Sequence, residues 1–233
     1  ATTDMPITAY FFISKYYLYG LQSSGITYRP IISAAVFMGL AFTSKHTAML
    51  LLPIAAASFA SCIKKEGVRR VIGSFALIAI LIYVSIWAVY GFSFHSASPY
   101  YQPLAWDIFT GSLFEPLFGA LRTLKVLPEA YLYGIAGVIM GAGGGKSAYL
   151  MGMYSTTGWW YYFIAAFMLK TPIPVIIMGV AALLYGLSGK GQRVRIAWLA
   201  LPALLVFAAI SSQKVNIGLR HVLPAFPFIF TMT

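Results

Sequence analysis

Long apolar runs recur along this chain, near residues 5–22, 30–62, 71–91, 172–187, 196–211 and from 222 onward, and compact clusters of Lys and Arg separate several of them. About 20 apolar residues in a helix cross the roughly 30 Å hydrocarbon core of a bilayer. In lipid a lone chain segment satisfies its backbone N–H and C=O groups internally only as a helix, so repeated runs of this kind specify a helical bundle. Composition agrees: 60% of the residues are hydrophobic, 9% are charged and the mean hydropathy is +0.82. The expected class is an all-α polytopic membrane protein.

Sixteen Lys and Arg against five Asp and Glu give a formal charge of +11. In a soluble protein that balance would suggest nucleic acid. Here the basic residues lie mostly between apolar runs, and the aromatics form no stacking surface, so no nucleic-acid partner is expected and the charge is read as topology. The single cysteine, Cys62, can form no intrachain disulfide and says nothing of redox compartment. The first residues show no signal peptide and the last apolar run stops partway, so the chain is expected to be a fragment.

Three basic clusters set the orientation: Arg29; Lys64, Lys65, Arg69 and Arg70; and Lys190, Arg193 and Arg195. The positive-inside rule assigns all three to the cytoplasm. As one helix, the run 30–62 would be about 50 Å long at about 1.5 Å per residue, too long for one span, and would put Arg29 and Lys64 on opposite sides. Broken at Thr43-Ser-Lys-His-Thr47, it becomes a hairpin of two short arms with both clusters inside. The later segments then alternate correctly. The stretch 92–171, rich in Tyr, Trp, Gly and Pro, becomes one long extracytoplasmic loop with interfacial helices, and Trp159-Trp-Tyr-Tyr-Phe163 suits a headgroup-level belt.

This topology puts Asp4, Lys45, His46, Lys170, Arg220 and His221 at the outer boundary, although they come from five segment ends. Ionisable groups at a bilayer boundary carry a functional hypothesis by default. An anionic ligand such as a phosphate is the simplest repayment for cations on the side that the rule keeps poor in them. Arg220 offers a planar fork suited to phosphate oxygens, and His221 can donate to a phosphate or carry a proton.

Each residue also has a structural reading. Asp4 can cap the helix that begins near Pro6, or take a catalytic or metal-linked role. Lys45 can snorkel, but its place inside an apolar run favours function. His46 reads as a packed neighbour of that site, and Lys170 as an interfacial anchor or a substrate contact. Glu129 is the one outer carboxylate beyond Asp4 singled out for a substrate role, and Glu66 reads as a surface charge. Gly141-Ala-Gly-Gly-Gly-Lys-Ser147 lacks the first glycine of a P-loop, since position 140 is Met140, and is read as a flexible loop.

Six strings, in order, resemble bacterial glycosyltransferase family 39: Thr2-Thr-Asp-Met-Pro6, Gly39-Leu-Ala-Phe-Thr-Ser-Lys-His-Thr47, Leu127-Pro-Glu-Ala-Tyr-Leu-Tyr-Gly134, Tyr154-Ser-Thr-Thr-Gly-Trp-Trp-Tyr-Tyr-Phe163, Leu169-Lys-Thr-Pro172 and Asn216-Ile-Gly-Leu-Arg-His-Val-Leu-Pro224. That family is similar to protein O-mannosyltransferases and the lipid A aminoarabinose transferase, and shares the GT-C membrane fold. With the run 30–62 counted as two short arms, the apolar segments make about six or seven membrane helices, which the resemblance would arrange as a GT-C-like bundle. The resemblance further implies transfer of a sugar from a polyprenyl-phosphate carrier to a protein, lipid or glycan acceptor at the outer face of a bacterial inner membrane. Asp4 matches the family's second acidic position and would orient the acceptor or a manganese or magnesium ion. The first acidic pair would lie upstream of Ala1, so independent activity is not expected of this stretch alone.

The expected site is thus Asp4 as the catalytic and metal-linked carboxylate, Lys45, Arg220 and His221 on the donor phosphate, and His46, Glu129 and Lys170 in reach of substrate. The alternative from another class is a lipid or small-molecule transporter or flippase. It would call for inverted repeats and ionisable groups near the midplane, whereas on this topology the charges gather at one boundary.

Overall fold

In the computed structural model, residues 3–95, 104–186, 188–216 and 218–232 are described. Thr2 and Ile217, from two of the strings above, and residues 96–103 of the outer region lie outside them. The described residues form α1 (Asp4–Ser24), α2 (Tyr28–Ser44), α3 (Leu51–Glu66), α4 (Val68–Val89), α5 (Glu115–Thr123), α6 (Glu129–Gly144), α7 (Tyr162–Lys170), α8 (Ile173–Gly186), α9 (Lys190–Ser211) and α10 (Phe226–Met232). Tight 3-10 turns span His46–Leu50 and Leu219–Ala225. A small antiparallel hairpin, β1 (Ala148–Leu150) with β2 (Met153–Ser155), is the one piece of sheet among these residues. Its two-residue loop, Met151 and Gly152, takes positive φ at both positions, as a primed hairpin turn demands.

Helix α1 is the axis of the bundle. Its buried residues Ile7, Phe11, Lys15, Leu18 and Leu21 recur at intervals of three and four, one stripe of a 3.6-residue helix. Helices α2 and α3 pack on α1, and α4 lies on the far side of α2. In lipid there is no gain from hiding Leu from Leu, so helix pairs are held by close backbone approach across small residues. Gly39 of α2 shows this: a Cβ there would come within 2.6 Å of Ser85 Oγ on α4. Outward from that seam α4 presents Ile72, Ile80 and Val84, all exposed, which is the lipid-facing arrangement expected of a span.

The run 30–62 breaks where the sequence predicts, between Ser44 and His46. Both arms return to the same end. The Glu66 carboxylate accepts from the Ile26 N–H at 3.1 Å and from Arg70 at 2.7 Å, and Arg70 also donates to the Ile26 carbonyl at 2.7 Å. Gly25, at φ 86, makes room for this, since a Cβ there would lie 2.6 Å from Glu66 Oε1. The loops carrying Arg29 and Arg70 therefore meet at a basic end. Glu66 is not a simple surface charge: its side chain is 11% exposed and ties the two loops together.

The span count needs correcting. Three helical stretches, His46–Glu66, Val68–Val89 and Gly191–Ser211, are long and apolar enough to cross a membrane, or four if α7 and α8, bent by 115°, form one broken span. This is an α-helical membrane protein, and among the described residues fewer helices are long and apolar enough to span than the six or seven expected. Apolar composition does not record where helices end: α2 has 17 residues, α8 has 14 and α10 has 7. Helix α1 is long enough at 21 residues, but Lys15 and several tyrosines dilute it. The turn at Thr171-Pro172 bends α7 against α8.

Candidate functional site

The end of the bundle opposite Arg70 is organised by a helix that stops one residue before Lys45. The hydroxyls of Thr43 and Ser44 both donate to the Leu40 carbonyl, at 3.1 and 2.6 Å, competing for the acceptor that the next helical turn would use. Lys45 then adopts an extended conformation, φ −162° and ψ 140°, before the chain tightens into the 46–50 turn. An extended residue between two helical segments throws its side chain sideways, here toward the start of α1. Its ammonium donates to Asp4 Oδ1.

Asp4 is the first residue of α1 and its side chain caps nothing: Thr3 occupies the N-cap and makes no side-chain cap hydrogen bond. The carboxylate still gains from the positive end of the helix. Burial alone would raise its pKa, but the Lys45 hydrogen bond and the positive charges of Lys45, of His221 at the acid pH where Asp4 titrates, and of Arg220 more than offset that and hold it below the ordinary carboxylate value. Four of the predicted residues, from three distant segments, therefore share one electrostatic neighbourhood.

Arg220 and His221 are delivered by the 219–225 turn, which Gly218 enters at φ 92, a backbone state closed to most side chains. Arg220 is exposed, and His221 is half-buried against Phe163 of α7, with ring centroids 6.5 Å apart. Burial lowers the His221 pKa, Lys45 and Arg220 lower it further, and Asp4 opposes them, so the ring is neutral at neutral pH. Its Nε2 is buried without a hydrogen-bond partner among the described residues. Two of the quoted strings meet here as well: Asn216 donates to the Trp159 carbonyl at 3.0 Å, pinning the segment before α7 to the segment before Arg220.

Beside these residues lies a cavity of about 440 Å³, lined by Lys45, His46, Lys146, Gln213 and His221 among apolar neighbours. His46 packs edge-on against Tyr131 of α6, at 5.1 Å, and leaves so little space that a Cβ on Gly134 would come 2.6 Å from its Nε2. Lys146 belongs to the glycine-rich loop set aside at the sequence level. Nothing in its spacing points to this site; the β1–β2 hairpin that follows carries it there.

Glu129 and Lys170 do not join the cluster. The Glu129 carboxylate is engaged by Trp106 Nε1 at 3.1 Å, Arg122 Nε at 2.9 Å and His95 Nδ1 at 3.5 Å, and its own N–H donates to the Phe94 carbonyl at 2.9 Å. It fastens the outer segments to one another. Lys170 is exposed at the end of α7. The residue that the sequence reading missed is Lys15. It is only 3% exposed, midway along α1, so the charges do not gather solely at one boundary. Its place on the three-and-four stripe of α1 is the signal that marks it as inward-facing.

Among the described residues no three His, Cys, Asp or Glu side chains gather in a way that could hold a metal, and Asp4 is the single carboxylate in the cluster. One carboxylate, already engaged by a lysine, offers few of the oxygen ligands that a manganese or magnesium ion takes. No family model, curated protein or solved structure matches the chain. The chemistry open to the cluster follows from its charges: two fixed cations and a neutral imidazole suit a phosphate, and an ionised carboxylate beside them suits a hydroxyl donor.

Proposed function

We propose that this chain is the carrier-binding part of a membrane glycosyltransferase that moves a sugar from a polyprenyl-phosphate to an acceptor at the outer face of the membrane. The observation that supports it best is the meeting of Asp4, Lys45, Arg220 and His221 at the end of the bundle away from the Arg70 loop. In the proposed reaction an acceptor hydroxyl attacks the anomeric carbon in line and with inversion. The bond from that carbon to the phosphate oxygen breaks, and the electron pair leaves with the lipid phosphate. Lys45 and Arg220 stabilise the charge that develops on it, and His221 donates to a phosphate oxygen or takes up a proton. Asp4, kept ionised, orients the acceptor hydroxyl; the resemblance would assign removal of its proton to an acidic pair of the family.

An apolar groove of about 390 Å³ between α7, α8, α9 and α10, lined by residues such as Phe167, Val180, Leu204 and Phe207, fits the same reading. It begins one turn along α7 from Phe163, the neighbour of His221, and has the character to take an isoprenoid tail. His46 and Lys146 then line the space in which sugar or acceptor sits. A manganese or magnesium ion at Asp4 is carried by the resemblance alone; loss of activity with chelator and its return with either ion would support it, and insensitivity to chelator would remove it.

One observation favours the second reading, a transporter or flippase: Lys15 is ionisable and buried midway along a helix, as groups on a transport path are. Two assays on the full-length protein separate the readings. Radiolabelled sugar passing from a polyprenyl-phosphate donor to an acceptor supports transfer. Substrate movement across sealed vesicles without any new glycosidic bond supports transport and overturns the proposal.

A further inference from the structure

Lys15 presents a problem that the site at the other end does not solve. Its ammonium lies 3.7 Å from the centroid of the Trp198 ring, is shut off from water and has no hydrogen-bond partner among the described residues. A cation over an indole face gains from the ring's quadrupole. The ring accepts no conventional hydrogen bond, so it answers the charge and not the donors. Its three N–H donors lack acceptors.

A cavity of about 230 Å³ abuts this lysine, between α1, α9 and α10, with Arg195, Tyr19 and Thr231 around it and Phe12, Leu199 and Phe228 as apolar wall. Arg195 lies three residues before Trp198, on the same face of α9 and one turn nearer the α9 start, where Lys190 and Arg193 also occur. The cavity thus has two cations at one part and an aromatic and aliphatic lining along the rest. A free anion would leave that lining unused, and a neutral lipid would leave the cations unanswered.

We infer that the groove between α1, α9 and α10 is a binding site for an anionic phospholipid, whose phosphate is held by the exposed Arg195 and by the Lys15 ammonium once it swings off the Trp198 face, and whose acyl chain lies along Phe12, Leu199 and Phe228. Trp198 closes the far side of the ammonium. The site is separate from the Asp4 cluster and does not depend on the glycosyltransferase reading, since it involves none of the same residues.

The test uses the purified chain in vesicles of phosphatidylcholine with or without phosphatidylglycerol, the acyl chains of one or the other lipid being brominated. Bromine quenches tryptophan at contact, and the Trp198 share is the difference between the wild type and Trp198→Phe. Brominated phosphatidylglycerol is expected to quench that share strongly and brominated phosphatidylcholine weakly, with Lys15→Gln weakening the preference about tenfold, the scale of one charge-assisted hydrogen bond. Should Lys15→Gln fail to fold, Arg195→Gln, an exposed position, must reduce the same preference. Equal quenching by the two lipids, an unaltered preference in the variants, or displacement by inorganic phosphate alone would overturn the assignment.

Discussion

Lys45 donates a hydrogen bond to the Asp4 carboxylate across a sequence separation of 41 residues, and in doing so fixes the start of α1 to the break between α2 and the 46–50 turn. The two side chains are 25% and 21% exposed, so the pair sits between a surface ion pair, which contributes little, and a buried one, whose breaking is costly. Lys45→Met or Asp4→Asn is expected to cost about 1–2 kcal/mol, and the double variant less than the sum of the two, because each single variant strands a charge and the double variant strands none. Thermal unfolding in detergent, run as a double-mutant cycle, reads this directly.

The His221 ring titrates below its ordinary 6.5, held down by burial and by Lys45 and Arg220. A group with a depressed folded pKa binds fewer protons folded than unfolded, so it removes stability as the pH falls from about 6.5 through its folded value. Asp4, also depressed, acts in the same direction but only below about 4, the ordinary carboxylate range. The melting temperature should therefore fall between pH 7 and pH 5, and His221→Asn should flatten that part of the profile while leaving the drop below pH 4.

Helix α2 meets α4 at Gly39, where an added Cβ would sit 2.6 Å from Ser85 Oγ and 2.8 Å from Ser85 Cβ. Gly39→Ala is expected to destabilise the pair by about 1–3 kcal/mol, the usual cost of overpacking. Gly73→Ala, on α4 with nothing within 4 Å, is the control and should be neutral or slightly stabilising.

Orientation can be read with an impermeant thiol reagent, since the native Cys62 is buried and gives a low background. Ser212→Cys follows α9 and Ser188→Cys lies before it, both at exposed positions. Labelling at 212 from outside the cell and at 188 only after permeabilisation is expected; the reverse pattern would turn the proposed topology over.

Much of this layout can be read from the chain because charge is rare in it. The polar run Thr43 to Thr47 marks the hairpin break, and the basic loops at Arg29 and Arg70 demand a common end, which the Glu66 bridge provides. Parity then sets Asp4, Lys45, Arg220 and His221 level with one another. It could not give their contact, which depends on the extended backbone at Lys45 and the left-handed Gly218. Helix lengths were not legible, because a run of apolar residues looks the same whether one helix or two short ones pass through it. The bonds that Glu66 and Glu129 make were not legible for a related reason: both bind groups far off along the chain, and such contacts leave no period in the sequence. Lys15 did lie on a visible helical stripe, but one lysine in an apolar run is easily lost against it.

The central claim is that the cations beside Asp4 hold the phosphate of a lipid-linked sugar, and Arg220 tests it most directly because it is exposed and its loss should not disturb the fold. Transfer of radiolabelled sugar from a polyprenyl-phosphate donor is to be measured for full-length Arg220→Ala against the wild type at matched expression and melting temperature. Loss of one group that stabilises developing charge predicts a fall in turnover of about 10²–10³. Transfer at the wild-type rate would contradict the assignment.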